Sequence, residues 1–166
     1  MRFSLIDRIE ILEPGVKITA VKALSLAEEY LADHFPGFPV MPGVLMLEAM
    51  TQAAAWLVRA SEDFSHSMVV LREASGVKYG QFVEPGQILH VTAEVIKQTE
   101  RDTTLKAQGT VDGKTTVSAR LVLERYDLSE TQPQHAVTDQ YVKSSMRNWF
   151  HPLYPTAGTA ESLAAR

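Results

Sequence analysis

A histidine, a glycine and a glutamate stand close together in one proline-rich stretch, HFPGFPVMPGVLMLEAM, which runs from His34 to Met50. Gly43 follows Pro42, a residue type favoured in the first turn of a helix. Backbone N–H groups are unpaired at a helix N-terminus, so the Gly43 N–H could face a carbonyl oxygen or an anion. A neutral histidine can serve as a general base, and a carboxyl group that burial keeps protonated can serve as a general acid. His34, Gly43 and Glu48 could therefore carry out acid–base chemistry on a carbonyl compound.

The same residues also have ordinary structural explanations. A histidine just ahead of a proline is most often a turn residue, and a lone glutamate on a helix is most often solvated. Thr51 and Gln52 share the helical face of Glu48, which makes a narrow polar stripe on a segment that is otherwise apolar. Pro36 and Pro39 stiffen the approach to the helix. Spacing alone leaves the catalytic and the structural interpretations open.

One long apolar helix must position these residues. From Pro42 to about Ala60 nothing breaks a helix, and apolar side chains cover nearly its whole circumference, so it is expected to be buried on most sides. The spacing of Ser25 and Glu28 predicts a capping box that opens a short helix through about Leu31. Alternating patterns predict strands over residues 5–12, 16–24, 68–71, 77–83, 89–98, 103–111 and 115–125. A curved sheet wrapped around the helix, an α+β arrangement, is the economical way to cover it.

The last part of the chain has a different character. Residues 128–138 are polar and rich in turn formers, which predicts a linker. Residues 139–150 predict a helix that His151-Pro152 stops, followed by a mobile end. Its apolar face is too costly to leave in water, so we expect it to dock on the body of the protein; the side chains concerned are Tyr141, Val142, Met146, Trp149 and Phe150. The predicted division is a body of residues 1–127 and an extension of residues 128–166.

Composition excludes several classes of function. The net charge of −4 disfavours nucleic-acid binding through overall charge, and the absence of cysteine excludes disulfides, thiol nucleophiles and cysteine metal sites. No apolar run reaches the roughly 18 residues of a membrane span, and the N-terminus has no signal-peptide core, so a cytoplasmic protein is expected. We expect no cofactor and no metal, because the remaining histidines have no ligand spacing; they are His66, His90, His135 and His151.

The stretch also resembles the signature of a known family. His34-Phe35-Pro36-Gly37 and the run through Pro42-Gly43-Val44-Leu45 to Leu47-Glu48-Ala49-Met50 and Gln52-Ala53 are similar to the 3-hydroxyacyl-[acyl-carrier-protein] dehydratases of type II fatty acid synthesis. Weaker similarity extends the match over about residues 5–125. The resemblance implies a hotdog fold, in which an antiparallel sheet wraps a long central helix, and a homodimer that joins its sheets side by side. It leaves a further assembly of dimers open.

The resemblance also implies a role for each residue of the motif. His34 would remove the C2 proton of a 3-hydroxyacyl thioester, and Glu48 of the other subunit would protonate the departing hydroxyl. The Gly43 N–H would polarise the thioester carbonyl, the Val40 carbonyl would orient the imidazole, and Gln52 would steady Glu48. Glutamate at position 48, where the isomerising branch of the family has aspartate, favours a plain dehydratase.

The implied partner is acyl carrier protein, which carries the acyl thioester. Four side chains could line an acyl tunnel or could be plain core: Met41, Met46, Met50 and Trp56. Because acyl carrier proteins are acidic, a basic patch is expected at the tunnel mouth. Its candidates are Arg72, Lys78, Lys97 and Arg101, although a solvated face explains them equally well. Residues 73–81 lack an acidic pair and several basic residues typical of the family, so the resemblance is weaker at this contact.

Two other functions are compatible with the fold. A hotdog thioesterase would need a carboxylate that activates water but has no requirement for the loop at His34. A non-catalytic acyl-binding hotdog protein would have no reason to keep His34, Gly43 and Glu48 together. The sequence leaves open the acyl chain length, the choice between carrier protein and coenzyme A, and the pathway served.

Overall fold

The central helix is present where the sequence predicts it. In the computed structural model, which describes residues 3–155, helix α1 spans Gly43–Ser61 with Pro42 as its N-cap residue. Most of its side chains are buried, and only Val44, in the first turn, is largely exposed. The Met41 N–H donates to the Val83 carbonyl at 2.8 Å, which ties the start of the helix to the chain that follows the third strand. The helix is thus a core element, as its apolar circumference predicts.

Six antiparallel strands form one sheet around α1. In chain order they are β1 Arg8–Glu13, β2 Lys17–Ala23, β3 Met68–Tyr79, β4 Ile88–Gln98, β5 Asp102–Val111 and β6 Lys114–Tyr126. Their order across the sheet is β1-β2-β4-β5-β6-β3. The inner face of β6 is fully covered and its alternate residues are wetter, which confirms the predicted alternation; the buried residues are Val117, Ala119, Leu121 and Leu123. This is the predicted α+β hotdog arrangement.

The turn between β5 and β6 follows directly from its sequence. Asp112 and Gly113 both have positive φ, as a tight two-residue hairpin requires, and Val111 pairs with Lys114 across it. Asparagine, aspartate and glycine tolerate this backbone conformation better than other residues. The hairpin prediction is confirmed.

Two local predictions are wrong. The region predicted as two strands, 68–71 and 77–83, contains the single strand β3, because bulges at Leu71/Glu73 and Ser75/Lys78 let the chain stay paired with β6. The short helix predicted from Ser25 is only a 3-10 turn over Glu29–Leu31. The Glu28 carboxylate does not cap a helix, because it pairs with the buried ammonium of Lys22 at 2.5 Å.

Helix α2 spans Ala136–Leu153 and contains the predicted helical segment with additional turns at both ends. Two 3-10 turns, Leu128–Glu130 and Pro133–His135, connect it to β6. The helix continues through Pro152 because only its last turn is affected: the carbonyl that loses its partner belongs to the exposed residue Asn148. The predicted mobile end, residues 156–166, lies outside the described residues. In the part of the chain that the structure describes, neither helix combines the length and apolar character needed to cross a membrane.

Candidate active site

The loop that carries His34 is held by its own backbone. The Val40 N–H donates to the His34 carbonyl at 3.0 Å, and Phe35 and Phe38 exchange N–H to carbonyl bonds of 3.1 and 2.9 Å. Gly37 adopts a positive φ, which this reversal of the chain requires. The half-buried imidazole of His34 lies against the Phe35 ring, with 4.0 Å between centroids. The contact between His34 and Val40 is therefore a backbone one, and the orienting role of the Val40 carbonyl stays a prediction.

Gly43 begins α1 under an aromatic ring. The N-cap residue Pro42 makes no side-chain cap, and no acidic side chain lies in the first turn to compensate the positive end of the helix dipole. A Cβ built on Gly43 would lie 2.9 Å from Cε1 of Tyr79, so any side chain there would displace the Tyr79 ring. The helix start can offer backbone N–H groups to a carbonyl oxygen, and Tyr79 lies beside it.

The carboxyl of Glu48 is held by an amide with a defined orientation. The Gln52 Oε1 accepts from the Leu5 N–H at 2.8 Å, so its Nε2 is the atom that faces Glu48. That nitrogen donates to Glu48 Oε1 at 2.9 Å and to the Phe3 carbonyl at 3.2 Å. Glu48 Oε1 is thus occupied, whereas Oε2 has no hydrogen bond within the described residues. The predicted pairing of Gln52 with Glu48 is present.

Within one chain the two titratable groups of the motif are not hydrogen-bonded to each other. Over residues 3–155 the structure shows no bond between the His34 ring and the Glu48 carboxyl. Large apolar side chains are exposed around the His34 loop and the start of α1, and Phe38 packs on Phe82 with ring centroids 5.5 Å apart. The exposed set comprises Phe35, Phe38, Val44, Tyr79 and Phe82.

The four predicted tunnel residues lie in two settings. Met41, Met46 and Met50 are buried in the core cluster, with exposed fractions of 1%, 3% and 0%. Trp56, also buried, borders a cavity of about 200 Å³ that extends from Gln52 along α1. A lining role for the methionines stays a prediction.

The candidate basic patch is divided. Arg72 pairs with Asp102 at 2.6 Å, and Arg101 pairs with Glu130 at 2.5 Å, so these two cations already have acidic partners. Lys78 borders an open groove on the sheet, whose other cations are Lys106 and Arg120. In the described ranges there is no group of three or more histidine and acidic side chains that could hold a metal ion.

Sequence reasoning missed three contributors to this region. Tyr79 covers Gly43, the N-terminal segment at Phe3 and Leu5 fixes the Gln52 amide, and α2 closes the cavity beside Trp56. The apolar face of α2 predicts that this helix docks on the body, but no local signal predicts where. All three contributors reach the motif from distant parts of the chain.

Comparison with known proteins places the motif in a family. A FabA-like domain model matches residues 1–120. The 3-hydroxyacyl-[acyl-carrier-protein] dehydratase FabZ of Levilactobacillus brevis is 39% identical over 115 residues, which cover 69% of this chain and 78% of that protein.

Solved structures share the fold at low sequence identity. The dehydratase heterocomplex ApeI:P from Xenorhabdus doucetiae has a TM-score of 0.65 at 15% identity and covers 80% of this chain and 90% of that one. A mutant thioesterase from Pseudomonas aeruginosa has a TM-score of 0.59 at 16% identity, with 73% and 81% covered. Because the fold is shared by both activities, the sequence match carries the assignment. This chain belongs to the FabA-like family of 3-hydroxyacyl-[acyl-carrier-protein] dehydratases, which its motif from His34 to Gln52 resembles.

Proposed function

We propose that the protein removes water from 3-hydroxyacyl-[acyl-carrier-protein] thioesters in fatty acid biosynthesis and gives trans-2-enoyl thioesters. The observation that carries this proposal is the orientation of the Gln52 amide, which directs its N–H at Glu48. The chain is also 39% identical to a FabZ dehydratase. A thioesterase is not favoured, since it shares only the fold.

The reaction needs one base, one acid and one carbonyl-binding group. His34 takes the C2 proton, and the electrons of that C–H bond form the C2–C3 double bond. The C3–O bond breaks, and the proton on Glu48 Oε2 passes to the leaving hydroxyl, which departs as water. The Gly43 N–H binds the thioester oxygen as negative charge develops on it. Proton exchange with solvent restores neutral His34 and protonated Glu48 for the next turnover.

A second copy of the chain would complete the site. The outer edge of the 12-residue strand β3 pairs with no other strand in the described chain, and long free edges are normally paired or protected. The exposed apolar set around the His34 loop also favours a covering partner. In this proposal two sheets join at β3, and the His34 of one chain acts with the Glu48 of the other.

The proposal is tested by following one substrate to its product. The wild-type protein should convert a 3-hydroxyacyl carrier-protein thioester to the enoyl thioester, and Glu48→Gln should lower kcat by roughly 10²–10⁴-fold, because the amide keeps the shape but cannot donate the proton. Mass spectrometry of the acyl group separates the outcomes. Free acid would indicate a thioesterase, and an unchanged substrate would indicate a binding protein. Near wild-type turnover by Glu48→Gln would remove Glu48 from the mechanism.

A further inference from the structure

Helix α2 lies outside the 120 residues that the family model matches, yet it is firmly attached to the body. Lys143 pairs with Asp127 at 2.6 Å. Arg147 donates to the Asp63 carboxylate at 2.9 Å and to its carbonyl at 2.6 Å. These contacts orient α2 about its own axis, with the face that carries Trp149 and Phe150 towards α1.

That face is aromatic and packs against the second half of α1. The rings of Trp149 and Phe150 each lie 5.9 Å from the ring of Trp56, and Phe150 also meets Phe64 at 5.5 Å. The packing is not complete. A cavity of about 200 Å³ remains, which is lined by the N-terminal segment together with Gln52, Ala55, Trp56, Arg59, Met146 and Trp149.

The cavity continues the catalytic face of the helix. One face of α1 carries, at helical spacing, Glu48, Gln52, Ala55 and Arg59. The cavity begins at Gln52, whose Nε2 donates to Glu48. A chain that leaves the reacting carbons beside Glu48 and follows this face would enter it.

Two polar side chains at the cavity make hydrogen bonds to the body of the protein. The Gln52 amide is bonded to Leu5, Phe3 and Glu48, and Arg59 Nη1 donates to the carbonyls of His66 and Ser67. Four further side chains that line the cavity are apolar or aromatic: Ala55, Trp56, Met146 and Trp149. This apolar part of the lining can accept hydrocarbon.

We infer that this cavity receives the far end of the substrate's acyl chain, and that Met146 and Trp149 of α2 form the wall that limits its length. The inference rests on the proposed function, because it assumes that the reacting carbons lie at Glu48. The added helix would thereby give this member of the family its own chain-length preference.

Two substitutions change the cavity in opposite directions. Met146→Ala removes part of the wall, and Ala55→Leu fills the cavity from α1. Tyr141→Ala is the matched control, because it removes a large side chain of the same helix that is 72% exposed. For a series of 3-hydroxyacyl thioesters that grow by two carbons, kcat/KM is measured for each length. One methylene in an apolar pocket changes kcat/KM by roughly 10–200-fold.

We expect Met146→Ala to raise the ratio of long-chain to short-chain kcat/KM by about tenfold, and Ala55→Leu to lower it by a similar factor. Tyr141→Ala should leave the ratio at its wild-type value. A ratio within about twofold of wild type in both cavity variants would overturn the inference.

A binding measurement separates this inference from the proposed function. Saturated acyl pantetheine thioesters of the same lengths cannot be dehydrated, and their stabilisation of the protein against heat reports occupancy alone. If the wild type forms no enoyl product but the preferred length still shifts in Met146→Ala and Ala55→Leu, the proposed reaction is wrong and the cavity assignment stands. If the preferred length shifts in neither variant, the cavity assignment is wrong, whatever the reaction.

Discussion

Hydrogen bonds to the backbone of the N-terminal segment fix the orientation of the Gln52 amide. Because its oxygen accepts from the Leu5 N–H, its nitrogen must serve the Phe3 carbonyl and Glu48 Oε1. The carboxyl of Glu48 is therefore aimed by a group that is itself tied to the N-terminal segment. At the scale of single residues, the proposed acid Glu48 is therefore expected to depend on Gln52, one helical turn away, for its position.

Gln52→Leu keeps the approximate size of the side chain and removes these bonds. As the proton leaves Glu48, negative charge develops on its carboxyl group, and a hydrogen bond to a charged group contributes about 1.5–3 kcal/mol. This corresponds to roughly tenfold to hundredfold in rate. We expect kcat to fall by that factor with a smaller change in KM, measured by steady-state kinetics beside thermal unfolding. Thr51→Ala is the control, because within residues 3–155 the hydroxyl it removes bonds only to the Leu47 carbonyl of its own helix. If Gln52→Leu lowers stability and leaves kcat unchanged, Gln52 serves only to anchor the N-terminal segment.

Helix α2 is attached at its first turn by one buried carboxylate. Asp139 accepts from the Ser67 hydroxyl at 2.5 Å and from the N–H groups of Leu128 and Ser129, both at 2.9 Å. Burial acts against the charged form, but these hydrogen bonds outweigh it and hold the pKa of the Asp139 carboxyl well below its usual range. The bonds join α2 to the segment before β3 and to the connection after β6.

This attachment predicts a pH dependence of stability. The pKa of Asp139 is lower in the folded than in the unfolded chain, where an aspartate titrates near about 3.9. Its contribution is therefore complete above that value and is lost as the pH falls towards the folded pKa. We expect Asp139→Asn to be less stable than wild type at neutral pH, and the difference to shrink below about pH 4.

Urea unfolding at a series of pH values, with hydrogen exchange of the α2 amides, measures this effect. Asp33→Asn is the control, because Asp33 is exposed in the loop before His34. An Asp139→Asn variant that keeps the full wild-type pH dependence would show that Asp139 does not hold the helix.

At the scale of the whole molecule, two observations favour the proposed second chain. The edge of β3 is free in the described chain, and no hydrogen bond joins His34 to Glu48 there. The strand is the last in the order of the sheet, and its end carries Tyr79, which lies on Gly43 of the helix start. A partner that pairs along β3 would therefore lie next to the helix start that the proposed reaction uses.

The shared site is tested by mixing two inactive proteins. His34→Ala and Glu48→Gln subunits, each inactive alone, should regain activity after unfolding and refolding together, because a heterodimer contains one site with both groups and one with neither. A random mixture is half heterodimer, so we expect about a quarter of the wild-type kcat per site if the sites work independently. Native mass spectrometry confirms the heterodimer. No recovery in a confirmed heterodimer would place both groups in the same chain.

The sequence by itself determined the parts that depend on neighbouring residues. The helix start at Pro42-Gly43, the pairing of Glu48 with Gln52 one turn later and the hairpin at Asp112-Gly113 all follow from local backbone preferences and helical spacing. The motif that identifies the family is contiguous for the same reason. The α+β arrangement followed from one largely apolar helix, for which a curved sheet is the economical cover.

Only the tertiary structure decided which distant residues meet. Tyr79 over Gly43, Leu5 on Gln52 and Ser67 on Asp139 join parts of the chain that no local pattern relates. Packing also overrode local signals. Glu28 pairs with the buried Lys22 and does not open a helix, and α2 runs through Pro152 because the buried Leu153 continues its contact with the body. Leaving a buried charge unpaired costs more free energy than a capping preference supplies. Burying a large apolar side chain likewise stabilises the fold by more than such a preference. Tertiary packing therefore decided these positions.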